Sequence, residues 1–190
     1  MAISYPIDAT STIPTPRSVT LTYRRITGVS ESPFTFNQQV YSHQGARWEM
    51  DMTFAPMTRT DFAAFHAFLM SLRGRYGTFY YYADPAESGG SDGALSGSHA
   101  ARATTITTQD AEDWTAGKLI GIDDHLYRVV GVNSTTSFDI EPGLRAAYTD
   151  GEAVDGTKPR GIWRLASDEI TYSIDVAQFH SITIPCVEAL

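Results

Sequence analysis

The sequence predicts a mainly β protein: a split antiparallel β-sandwich or belt domain with one covering helix, interrupted by a small inserted β-barrel. Three observations predict it. Apolar and polar residues alternate with period two in short runs along much of the chain. Only one segment, about residues 58–73, carries an apolar stripe at helical spacing. A Gly/Ser-rich stretch follows Pro85, and beyond it short strand-like runs recur between turn residues.

Taken in order, the first 16 residues hold Pro6, Pro14 and Pro16 among Ser and Thr and read as an extended arm. Val19, Leu21 and Tyr23 alternate with Thr20, Thr22 and Arg24, the pattern of a strand buried on one face. Gly28 to Pro33 is turn chemistry, Phe34, Phe36, Gln38 and Val40 give a second strand, and His43-Gln44-Gly45 turns the chain again. Trp48, Met50, Met52 and Phe54 alternate with Glu49, Asp51 and Thr53. These runs predict three consecutive antiparallel strands with one wet face.

The helix follows. Phe62, Phe65, Leu69 and Leu72 fall at i, i+3, i+7 and i+10, Thr58 or Thr60 can cap it, and Asp61 suits the first-turn dipole. Gly74 can supply the left-handed residue that ends it. Thr78 to Tyr82 reads as an aromatic strand. Trp48, Phe54, Phe62, Phe65, Leu69, Leu72 and Phe79 are the candidate core, and Tyr80 and Tyr82 are the candidate oligomer-interface aromatics at a presumed sheet edge.

Ser88-Gly89-Gly90-Ser91-Asp92-Gly93 and Ser96-Gly97-Ser98 read as a linker or long loop. Thr104 to Thr108, Leu119 to Ile122, Leu126 to Val132 and Phe138 to Ile140 then predict short strands, with Asp123-Asp124 as a turn. After Pro159 the earlier style returns in Ile162-Trp163-Arg164-Leu165, in the alternation of Tyr172, Ile174 and Val176, and in Ile182, Ile184 and Val187. The predicted division is residues 1–85 with 161–190 as one split domain, and 86–160 as the insertion.

Composition narrows the function classes. With 42% apolar and 19% charged residues, the 190-residue chain is long and apolar enough to bury a core. A net charge of −8 without a basic stripe argues against nucleic acid as a specific partner. The single cysteine, Cys186, excludes an internal disulfide and a thiolate zinc site, and reads as a buried residue of the last strand. The N-terminal residues lack the pattern of a signal peptide, and no apolar run approaches the roughly 20 residues that cross a bilayer. The expectation is therefore a protein made in the cytosol with no membrane partner.

The catalytic motifs are absent in context. Gly89-Gly90-Ser91-Asp92-Gly93 matches G-x-S-x-G by letter but lacks a strand before it and a helix after it. His43, His66, His99, His125 and His180 never fall at metal-ligand spacing, leaving only a spatial meeting of His43 and His180 to consider. Asp110, Glu112 and Asp113 lack the register of a calcium loop. No phosphate-binding or dinucleotide motif occurs. The sequence predicts no enzyme, no cofactor and no metal.

Two patterns carry a resemblance. Gly45-Ala46-Arg47-Trp48, then Phe54-Ala55-Pro56-Met57, then Phe68 to Arg75 passing to Gly77-Thr78-Phe79, resembles the distal tail proteins of siphophages and related tail proteins of gene transfer agents. Trp114 to Ile122, Leu126 to Val130 and Ile140 to Arg145 are similar to the small barrels that decorate tail and baseplate proteins. The resemblance implies a six-fold homo-oligomeric ring between a tail tube protein and a tail hub or baseplate protein, assembled in a host bacterial cytoplasm and carried at the virion's tail tip. It also implies that the inserted barrel is of the oligonucleotide/oligosaccharide-binding (OB) type and projects outward, where it can meet receptor-binding proteins or host glycans. The competing expectations are a carbohydrate-binding module stacking sugars on Trp114, Tyr127 or Tyr148, another tail component such as a terminator or hub adaptor, and an envelope hydrolase.

Overall fold

The computed structural model describes residues 4–10, 12–83 and 91–190. Pro85, the first part of the Gly/Ser-rich stretch and the glycines that open the G-x-S-x-G match lie outside the described residues, as do residues 1–3 and 11 of the predicted arm. In chain order the elements are β1 (Ile7–Asp8), β2 (Ser18–Glu31), β3 (Gln38–Thr53), α1 (Arg59–Ser71), β4 (Phe79–Tyr82), β5 (Gly93–Ala94), β6 (Thr105–Thr107), β7 (Leu119–Ile122), β8 (His125–Ser134), β9 (Ser137–Glu141), β10 (Ala153–Asp155), β11 (Arg160–Leu165), β12 (Tyr172–Ile174) and β13 (His180–Glu188). The fold is mainly β, with one α-helix and two sheets among the described residues.

The first sheet runs β1-β4-β11-β13-β3-β2, with β12 added to β13. Its strands keep one register of faces. Leu21 and Cys186 flank Met50, and Val19 and Ile184 flank Met52. Every second residue of β3 and β13 is therefore buried, from Trp48 to Phe54 and from Ile182 to Glu188. α1 covers this face with Phe62, Phe65, Phe68 and Leu69, and Leu72 at its end is fully buried. Phe54 meets Phe65 at 4.7 Å, and Phe68 meets Phe79 edge-on at 5.8 Å. Thr58 is the cap, its hydroxyl oxygen accepting from the Asp61 N–H at 3.3 Å. The stop uses Arg73 as well as Gly74, both left-handed at φ 54° and 67°. Gly77 has no room for a side chain, since a Cβ there would sit 2.6 Å from the Leu72 carbonyl.

The start of the sheet differs from expectation. The three predicted strands are two, β2 and β3, joined as one long hairpin. Gly28 lies inside β2, and His43-Gln44-Gly45 is absorbed by a bulge where the register jumps between Arg25 and Thr27. The turn is at residues 32–37 instead, closed by Ser32 N–H to Asn37 O at 3.0 Å, with Phe36 at φ 56°. Phe34 and Phe36, read as strand residues, form its tip.

The second sheet runs β5-β10-β7-β8-β9-β6 and curls until its edges meet. Leu95 bridges Thr108, the Ser96 N–H reaches Thr107 O at 2.8 Å, and the Gln109 N–H reaches Ala94 O at 2.9 Å. Inside lie Leu95, Ile106, Trp114, Ile120, Ile122, Tyr127, Val129, Phe138 and Ile140. Asp123 and Asp124, at φ 49° and 61°, make the two-residue turn between β7 and β8. Their neighbours Leu119 and Leu126 face the other way and join the first sheet's core.

Trp163 of β11 is fully buried and its indole N–H donates to Tyr81 O at 3.1 Å. Trp163→Ala should cost about 3–5 kcal/mol, read as a fall in the urea unfolding midpoint with little change in slope.

Candidate functional site

Where the two sheets meet, one carboxylate gathers most of the polar contacts. Glu188, at the end of β13, has a side chain only 2% exposed. It accepts from Arg145 Nη2 at 2.6 Å, from Arg145 Nε at 3.2 Å and from the Trp48 N–H at 3.0 Å. Arg145 in turn gives Nη1 to Ala46 O at 2.9 Å, and its backbone N–H to the Tyr127 hydroxyl oxygen at 2.9 Å. The Trp48 indole N–H crosses to Leu126 O at 3.0 Å. The seam thus ties β3 and β13 to the barrel through a buried pair with all its guanidinium faces engaged.

Other bonds continue the seam. Tyr23 donates to Glu141 Oε2 at 2.9 Å, and its hydroxyl is pushed up to about 12, first by burial and then by that carboxylate. Arg25 pairs with the other oxygen of Glu141. Arg160 pairs with Asp124 and lies over the Tyr80 ring at 4.7 Å. His125 sits 3.9 Å from Glu188 with its Nδ1 buried and unbonded. Burial holds its imidazole below the ordinary histidine value, against the pull of Glu188.

Chemistry is sparse. A hydroxyl–imidazole pair, Thr107 Oγ1 and His99 Nε2 at 3.3 Å, is turned to other work: the hydroxyl donates to Ser96 O at 2.8 Å. Cys186 is buried, and burial pushes its thiol up, away from the reactive thiolate. His43 lies in the hairpin bulge and His180 opens β13, which pairs the far end of β3, so the two are not brought together. No group of three or more His, Cys, Asp or Glu residues that could hold a metal occurs among the described residues. No helix among them is long and apolar enough to cross a membrane.

The seven candidate core residues, Trp48, Phe54, Phe62, Phe65, Leu69, Leu72 and Phe79, are all buried in the first sheet's core. Tyr80 and Tyr82 are both half-buried: Tyr80 is paired with β1 on one side and β11 on the other, whereas Tyr82 pairs with Arg160 of β11 and lies beyond the two-residue register of β1. Trp114, Tyr127 and Tyr148 are also buried, inside the barrel, so none offers the face that sugar stacking needs.

The exposed apolar surface lies elsewhere. Beyond the bulge the β2–β3 hairpin leaves the sheet, and Ile26, Val29, Phe34, Phe36, Val40 and Tyr41 are all exposed, Phe34 at 91%. A second patch, Tyr172, Ile174, Val176 and Phe179, flanks the β12–β13 turn at the opposite end of the sheet. Sequence reading missed both because an exposed apolar residue in a strand has the same period-two signature as a buried one. The signal available at the tip was Ser32-Pro33 followed by two phenylalanines without a third alternating partner.

No protein-family model matches this sequence, and no curated protein is similar to it.

Arg145→Ala strands Glu188 as a buried unpaired charge and should cost about 3–5 kcal/mol. An Arg145→Leu, Glu188→Leu double variant should lose less than either single change, measured by chemical denaturation. The His125 environment gives a pH dependence of definite sign. The unfolded chain protonates at about pH 6.5, whereas the folded imidazole protonates lower, so stability present above that value falls on acidification. Between about pH 7 and about pH 5.5 the unfolding midpoint should drop more for the parent protein than for His125→Gln.

Proposed function

We propose that this chain is a ring-forming structural protein of a siphophage-like tail tip, joining the tail tube to the tip hub or baseplate. The observation that carries this reading is the outer β2–β3 hairpin. A two-stranded ribbon has no core of its own and is marginal alone in water. Here it presents apolar side chains on a projection that nothing else in the described chain covers. Contiguous apolar surface of that kind suits a protein interface. β2 is also the edge strand of its sheet over 14 residues, a row of unpaired backbone groups that a neighbouring subunit can cover. Contacts between unlike surfaces of identical copies propagate head to tail and, when the rotation closes, make a ring.

The phage-tail resemblance of residues 45–82 and 114–145 supplies the place of that ring: the virion's tail tip, after assembly in the host cytoplasm. In this reading the chain's job is geometric. One face matches the tube and the other offers a platform to the hub and to receptor-binding parts. The seam between the sheets supports it by making the barrel a fixed projection. The reading as a sugar-binding module loses its stacking residues to the barrel core.

Light scattering coupled to size exclusion, over a range of concentrations, tests the proposal. The expected result is a six-fold species that appears as rings in electron micrographs of the same fractions. A strict monomer at the highest concentration, with no particles on the grid, overturns it.

A further inference from the structure

We infer that the tip of the β2–β3 hairpin docks on a second copy of this chain, with Phe34 filling a cleft at the root of that copy's hairpin. The inference rests on the ring-forming reading and adds the two surfaces that meet.

The cleft has a volume of about 310 Å³ and is lined by Arg24, Ile26, Gly45, Ala46, Arg47 and Leu190. Its apolar part comes from Ile26, Ala46 and Leu190, and Ile26 and Leu190 stay exposed in the single chain. Its concavity follows from the bulge: Gly45 has no side chain, and a Cβ there would sit 2.9 Å from Ile26 Cδ1. Two arginines rim it. Arg24 and Arg47 share a single carboxylate, Glu49, each at 2.7 Å, so these three side chains set two guanidinium groups against one acid.

The tip is the converse. Phe34 and Phe36 are 91% and 73% exposed. Between Gly28 and Ser42 the only charged residue is Glu31, which bonds to Gln38 beneath the turn and makes the tip net negative. A protruding aromatic beside an acid thus faces an apolar hollow beside a cation. Buried aromatic anchors in pockets are where interface energy concentrates. Phe34 and Phe36 together expose on the order of 300 Å², more than a third of the ~800 Å² that each partner brings to a standard interface.

The occupant has to be another molecule. Glu31 lies five residue steps beyond Ile26, roughly 17 Å along the strand, so a hairpin cannot fold its own tip back into its own root. Tip and cleft lie at the two ends of one ribbon, which lets each copy donate a tip in one direction and accept one in the other.

The test uses the full chain with Phe34→Cys and Ala46→Cys combined, since the native Cys186 is buried and does not compete. Oxidation with oxidised glutathione should give a ladder of covalent multimers, and each single cysteine variant should give none. Phe34→Asp, on a side chain that supports no part of the fold, should weaken association at least tenfold in sedimentation equilibrium. Association unchanged by Phe34→Asp, with no cross-link, overturns this contact and leaves the ring reading standing. A cross-link that stops at a dimer keeps the contact and overturns the ring. A monomer with no cross-link overturns both. Phe34-dependent co-sedimentation with phosphatidylcholine–phosphatidylglycerol vesicles, without a cross-link, assigns the tip to a bilayer and overturns the docking.

Discussion

The structure depends on the desolvation of one carboxylate. Glu188 sits where the last strand of the first sheet meets the barrel, and a charge taken that far out of water must be compensated in full. Arg145 reaches it from the chain beyond β9, and the Trp48 amide reaches it from β3. The packing of the two sheets brings these donors together. Leu119 and Leu126 then fall into the first sheet's core, and the Trp48 indole finds the Leu126 carbonyl. Apolar burial holds the seam shut, while the buried pair decides the orientation in which it shuts. Apolar contact alone is non-directional and would tolerate sliding.

The same seam explains why the surface looks as it does. The polar groups there are spent on one another: Tyr23 and Arg25 on Glu141, Arg160 on Asp124, Arg145 on Glu188. What remains outward-facing and apolar is concentrated in the two turns at the ends of the first sheet.

Much of the fold was legible in the sequence, for identifiable reasons. Period-two burial in Trp48 to Phe54 and the helical stripe from Phe62 to Leu72 report the faces of elements that pack on a single core, so pattern and structure coincide. The mainly β class follows from them. The first hairpin was not legible in detail, because the residues that make it a single ribbon act across strands: the bulge at Arg25–Thr27 is defined by what it faces on β3. β5 and β10, of two and three residues, are too short to carry a period. The seam was invisible for a further reason. Arg145 and Glu188 lie 43 residues apart, and nothing in either local sequence marks one as the other's counter-charge.

The way the chain enters and leaves the barrel has an evolutionary consequence. Tyr82 and Arg160 are direct partners across β4 and β11, so the segment between them departs and returns at neighbouring points of one sheet. Antiparallel partners stand only about 5 Å apart, a gap that a short loop can bridge as well as a whole barrel can. The first sheet can therefore keep its hydrogen-bonded ladder while the intervening segment is lengthened, shortened or exchanged for another module. The exchange carries two conditions: a replacement module must bring a cation for Glu188, and it must refill the places of Leu119 and Leu126 in the first sheet's core.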